Sequence, residues 1–148
     1  MKDTTKTVYD NLAFTHKVHE KQCEVLSYAS IIVRLLSVTL IVSVLFLQFW
    51  QFANPQTNRT LLTWSIVLTV LEVGLAFFQL NFNYDKLLDQ HRGTAKSCLL
   101  LKNRLLVGKT SAISSKQLME YVEEANQIYA AAPQTGQLAK WMANRSKD

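Results

Sequence analysis

The sequence predicts an all-α membrane protein: a two-helix transmembrane hairpin with long cytoplasmic helical extensions and two short C-terminal helices. Three observations carry this reading. The runs "LLSVTLIVSVLFLQFWQFA" (35–53) and "LLTWSIVLTVLEVGLAFFQL" (61–80) are each about twenty residues long, and Glu72 is the only charge in either. A bilayer core about 30 Å thick takes roughly 20 helical residues. Both runs are apolar on every side, whereas the core helix of a soluble domain shows one apolar stripe. No strand alternation, internal repeat or low-complexity tract interrupts the helical pattern.

In chain order, residues 1–30 form an N-terminal cytoplasmic helix. From Thr4 or Thr5 to Ser30 there is no Gly or Pro, and Tyr9, Leu12, His16, His19, Cys23 and Leu26 recur at helical spacing. Residues 31–53 are the first span. The link 54–60, with "NPQTNR" and a helix-breaking Pro55, is an external turn tight enough to make the spans antiparallel. Within it "NRT" (58–60) matches a glycosylation sequon, a pattern too short to carry weight so close to the bilayer. Residues 61–81 are the second span, and 82–148 a C-terminal cytoplasmic helical region. There "NYDKLLDQHRGTAKSCLLLKNRLLVGK" (83–109) reads as one helix, with Gly108 as its stop. Ser114 and Gln117 stand at capping-box spacing ahead of "SSKQLMEYVEEANQIYAAA", which Pro133 ends. "GQLAKWMANRSKD" (136–148) is a short amphipathic helix with Leu138, Trp141 and Met142 on its apolar side.

Charge sets the topology. Lys17, Lys21 and Arg34 precede the first span and Lys86, Arg92 and Lys96 follow the second, while the link carries only Arg59. Positive residues favour the cytoplasm, so both termini are expected inside. About thirty mostly polar residues before the first apolar run argue against a secretory signal. The chain from Asn81 onward has ten basic and six acidic residues. That excess suits topology and anionic headgroups; basic charge alone is unspecific, and the acidic patch in "YVEEANQIY" (121–129) argues against a polyanion groove, so nucleic acid is not an expected partner.

Glu72 needs a reason, because a charge at the centre of a span costs about 2.5–3.5 kcal/mol on insertion scales. On a straight helix Ser65, Thr69, Glu72, Ala76, Gln79 and Asn83 fall on one side, a polar and small stripe along the second span. In the first span Arg34, Ser37, Gln48 and Gln51 share a side. Arg34 is level with Leu80, about 12 Å along the axis from Glu72, so it extends to the headgroups and does not pair with the carboxylate. Glu72 then protonates, bonds Gln48 or a serine, or faces a shared polar interior in an oligomer. Three readings stay open: a neutral glutamate that joins helices, a water-lined conduit with Glu72 at its midplane, and coupling to a partner membrane protein. The stripe continues as Tyr84, Leu88, His91 and Ala95 at spacings of three and four, which suits a homo-oligomeric seam.

The two cysteines read as reduced thiols. His16, His19 and Cys23 share a face that an antiparallel partner would set against His91, Ala95 and Cys98. His19 and Cys23 stand at metal-ligand spacing, but His91 and Cys98 are two turns, roughly 10 Å, apart. Packing in a helix pair explains them, so no metal or cofactor is expected. There is no Ser-His-Asp set, phosphate loop or paired-carboxylate site, and hence no case for an enzyme.

A polar N-terminal helix, a tight two-span hairpin, the long following helix "NYDKLLDQHRGTAKSCLLLKNRLL" and the later "IYAAAPQT" together resemble the SLATT family. These are bacterial two-span effector domains encoded beside nucleotide-second-messenger synthases, SLOG-type sensors or reverse transcriptases. The resemblance implies an anti-phage effector that permeabilises the inner membrane on a signal from such a partner. The residues leave two alternatives standing: a two-span scaffold that tethers a partner, and a holin-like lysis protein.

Overall fold

The computed structural model describes residues 2–54, 59–110 and 114–145. It contains five helices: α1 (Lys2–Ala53), α2 (Arg59–Asn81), α3 (Tyr84–Thr110), α4 (Ser115–Ala131) and α5 (Gln137–Arg145). Among the described residues there is no strand. Pro55 and most of the expected external turn 54–60, with Asn58 of the sequon, lie outside the described residues.

The chain divides into two compact units, 28–84 and a second made of 1–27 with 85–148. The expected N-terminal helix and first span are a single 52-residue helix, α1. Nothing in 2–53 breaks it, since the sequence has neither Gly nor Pro there. At its end the backbone N–H and the side-chain amide of Asn54 both donate to the Trp50 carbonyl, satisfying a group that the finished helix leaves open.

In unit 28–84, the second half of α1 and all of α2 expose their apolar residues. Phe46 is 62% exposed, Leu80 85% and Val70 65%. These are the two helices long and apolar enough to cross a membrane. Trp50 and Trp64 lie toward one end of this unit and Tyr28 and Tyr84 at the other, the residue types that membrane–water interfaces favour. Hydroxyls in the spans that meet no neighbour turn back on their own helix. Thr39, Ser43, Thr63 and Thr69 each donate to the carbonyl four residues earlier, which satisfies them where water is absent.

α2 stops two residues short of α3. The Phe82 N–H still bonds the Phe78 carbonyl at 2.9 Å, but the Tyr84 N–H bonds the Phe82 carbonyl at 3.0 Å, a tighter turn than a helix makes. Phe78 stacks on Phe82 with centroids 5.5 Å apart, and Phe82 meets Tyr84 at 4.4 Å. The break was absent from the expected helix 83–109, because neither Phe82 nor Asn83 is a strong breaker.

The other unit has its own core. Leu12, Cys98, Leu101, Leu105 and Ala125 are buried together, with Val8, Tyr121, Ile128 and Tyr129 packed around them. Leu12 from α1, three residues from α3 and Ala125 from α4 make this a three-helix contact. α4 begins with the expected capping box, Ser114 accepting from the Gln117 N–H at 3.3 Å and Gln117 accepting from the Ser114 N–H at 3.1 Å. It ends at Ala131, with Ala132 as cap before Pro133. α3 runs past Gly108 to Thr110. α5 is the expected short helix; on its apolar side Leu138 and Trp141 are exposed and Met142 is half-buried, and its buried residues are Ala139 and Ala143. Small side chains let that face approach the unit closely, and the bulky ones are left outside.

Candidate functional site in the hairpin seam

The facing sides of α1 and α2 are defined by which residues lose exposure. On α2 these are Leu61, Ser65, Leu68, Glu72, Leu75 and Gln79, at intervals of four and three. On α1 they are Val33, Ser37, Leu40, Val44, Leu47 and Gln51, at the same intervals. This is a heptad seam, the pattern of two helices wound gently about each other. Ser37 and Ser65 are its buried polar members.

Glu72 sits in the middle of the seam. The Ser37 hydroxyl donates to Glu72 Oε1 at 2.7 Å. Glu72 Oε2 is buried with no hydrogen-bond partner. Among the described residues no cation pairs with it. Gln79 donates to the Val33 carbonyl at 3.4 Å, which fixes the antiparallel register and sets Arg34 level with Gln79, near Leu80. Of the three partners open to Glu72, a serine takes the bond, within a single chain.

The expected stripe therefore divides. Ser65, Glu72 and Gln79 lie in the seam, and Ala76 is half-buried beside it. Thr69 is exposed and bonds its own helix, and Asn83 lies in the break after α2. On α1 Ser37 is buried, whereas Arg34 and Gln48 are exposed. Gln51 lies in the seam, and its Nε2 is buried without a partner. The reason is periodicity. Thr69 follows Ser65 by four residues and Gln48 follows Ser37 by eleven. Each is close in angle on a straight helix of 3.6 residues per turn, but drifts about 50° from a seam that repeats every 3.5. The apolar seam residues, Leu68 and Leu75 among them, had no signal of their own, because every face of these spans is apolar.

A second polar contact lies in the other unit. His19 and His91 are 3% and 2% exposed, and their Nδ1 atoms are 2.8 Å apart, one donating to the other. Burial, and then the neighbouring ring, push the His19 pKa down to about 4, and burial lowers that of His91. His16 Nδ1 donates to the Ala95 carbonyl at 2.9 Å and Cys23 Sγ donates to the Leu88 carbonyl at 3.8 Å. The residues proposed as an oligomeric continuation, Leu88, His91 and Ala95, thus face α1 of the same chain. Cys98 is elsewhere, in the core, where burial pushes its thiol up to about 11. Among the described residues no three His, Cys, Asp or Glu side chains come together as a metal site. Chemically, the hairpin offers a carboxylate half-satisfied among apolar side chains.

Against known proteins, the model of the SMODS and SLOG-associating 2TM effector domain family 4 matches residues 1–145. No curated protein and no solved structure matches the chain. Two apolar spans and helical extensions are what a two-transmembrane effector domain requires, and the match takes in all five helices. The chain belongs to the SMODS and SLOG-associating 2TM effector domain family 4.

Proposed function

We propose that this protein is the membrane effector of a bacterial anti-phage system, a homo-oligomer that opens a pore in the inner membrane. A separate sensor, nucleotide-signal synthase or reverse transcriptase acts on the cytoplasmic helices to release it, and both termini face the cytoplasm. One observation carries the reading: Glu72 is held by Ser37 through one oxygen while the other is buried and unpartnered. A carboxyl group so placed stabilises the closed hairpin poorly, because an unmade buried hydrogen bond costs about 1–3 kcal/mol. It is better satisfied once the seam parts and water or neighbouring copies reach it. A ring of such carboxylates would favour cations, as acidic rings do in cation channels.

The seam is complete within one chain, which favours a second reading in which Glu72 only joins α1 to α2 and the hairpin anchors a partner. Expression of Glu72→Gln and Glu72→Leu at matched levels separates the two. The amide of Gln accepts the Ser37 bond as the carboxyl does, so a joining role predicts parent-like toxicity. The pore reading predicts that Glu72→Gln assembles normally yet loses toxicity or cation selectivity, and that Glu72→Leu fails to assemble as well. Parent-like toxicity and selectivity in Glu72→Gln would remove Glu72 from the conduit.

A further inference from the structure

All three histidines of the chain, His16, His19 and His91, lie where α1 meets α3 within the unit of 1–27 and 85–148. Side-chain bonds cross this contact in antiparallel order: His16 to the Ala95 carbonyl, His19 to His91, Cys23 to the Leu88 carbonyl. The first and last need only a donor on α1, and a ring that takes up a proton keeps its N–H. The middle one is different. Two Nδ1 atoms 2.8 Å apart require one N–H and one lone pair, so they hold a single proton between them. With both rings protonated, an N–H would face an N–H, and two like charges would share a dry contact. Burial, then His91, act on His19, and burial alone on His91, so among the described residues no carboxylate balances a charge there. Glu20 of α1 and Arg92 of α3, each next in sequence to a ring, are exposed and act with Glu24 on Cys23. The buried residues of α4 and α5 are Leu118, Ala125, Ala139 and Ala143, none of them charged.

We propose that the His19–His91 pair is an acid-released latch between α1 and α3, shut while at most one ring is protonated and parted when both are. Burial keeps both rings neutral at neutral pH, so the latch opens as the pH falls toward about 4, the value to which His19 is pushed. Release runs toward Cys23, whose thiol is a weak donor 3.8 Å from its acceptor. On the other side the core of Leu12, Cys98, Leu101, Leu105 and Ala125 contains no group that takes up a proton in acid, and it holds. α1 continues without a break into the first apolar span, and α3 begins two residues after α2. The latch therefore ties together the stretches of chain that flank the two spans. The inference rests on this buried contact and stands whether or not the protein forms a pore.

The test uses the full chain in detergent, with its own two cysteines as reporters. Cys23 stands one turn from His19, whereas Cys98 is fully buried in the apolar core. The protein is treated with a dipyridyl disulfide, which reacts with thiols in acid, at neutral pH and at about pH 4. Peptide mass spectrometry follows each cysteine, with a free thiol in the same buffer as reference. The expected result is that labelling of Cys23 rises several-fold in acid relative to that reference while Cys98 stays protected. His91→Gln, whose amide can bond His19 but takes up no proton, should abolish the rise, as should His19→Leu with His91→Leu. A Cys23 that reacts no faster in acid would overturn the proposal. So would labelling of both cysteines together, since the unit would then be unfolding as a whole, or a rise that persists in His91→Gln. The contrast between the two cysteines is read in the parent chain, and it decides the matter even where the variants fail to fold.

Discussion

The half-buried Glu72 and the buried His19–His91 pair are polar groups in opposite states of satisfaction, and their expected behaviour differs accordingly. Glu72 keeps one hydrogen bond, from Ser37. Ser37→Ala removes it and should destabilise the hairpin by about 1 kcal/mol, the range of interhelical hydrogen bonds in membranes. If the seam is what holds the pore shut, the same substitution should raise basal toxicity, read as the rate of membrane depolarisation on induction. The histidines satisfy each other as neutral rings. Because burial lowers their folded pKa values, the stability they contribute is complete above the ordinary histidine value of 6.5. It is lost progressively as the pH falls toward about 4, the unfolded chain taking up protons first. Thermal unfolding of the protein in detergent should show that loss between those values. His19→Leu with His91→Leu should flatten it, and an unchanged profile in the double variant would refute the assignment.

The helices show how much could be read in advance and why. Tyr9, Leu12, His16, His19, Cys23 and Leu26 were visible as a face of α1 because polar residues surround them, and each is at least half-buried. The same three-and-four spacing continues through Val33, Leu40 and Leu47, where it was invisible against an apolar background. There only the polar residues mark a side, and a straight-helix projection groups Thr69 and Gln48 with residues of the seam, from which they drift by about 50°. α4 is legible through chemistry confined to a few residues, Ser114, Gln117 and Pro133, whereas the packing face of α5, made of the alanines Ala139 and Ala143, carries no such signal. Two substitutions measure the cores these helices build. Leu101, 1% exposed among Leu12, Cys98 and Leu105, should cost about 2–5 kcal/mol as Leu101→Ala. Ser114→Ala, which removes only the cap of α4, should cost about 0.5–2 kcal/mol. Denaturant titration of the two variants should rank them in that order.

The chain has an apolar two-helix unit suited to a bilayer and, in its other unit, a packed three-helix contact, with α1 contributing to each. A signal can act only by stabilising one arrangement over another, and in our reading it acts on the outer unit. On that reading, Leu12 and Leu101 of the core and Leu118 and Tyr121 of α4 are the residues through which it would bear on a closed state. Removing α4 and α5 after Gly108 would uncover that core. The truncated chain should therefore either kill without its partner or cease to respond to it, and unaltered regulation would place control elsewhere. The central claim, that the hairpins assemble into a conduit with Glu72 on its path, is tested most directly by current through a planar bilayer. Purified protein would be recorded with and without its activating partner, alongside Glu72→Gln. The account predicts discrete cation-selective openings that depend on activation, with selectivity lost in Glu72→Gln. Activated protein that is shown to be inserted and yet passes no current would contradict it.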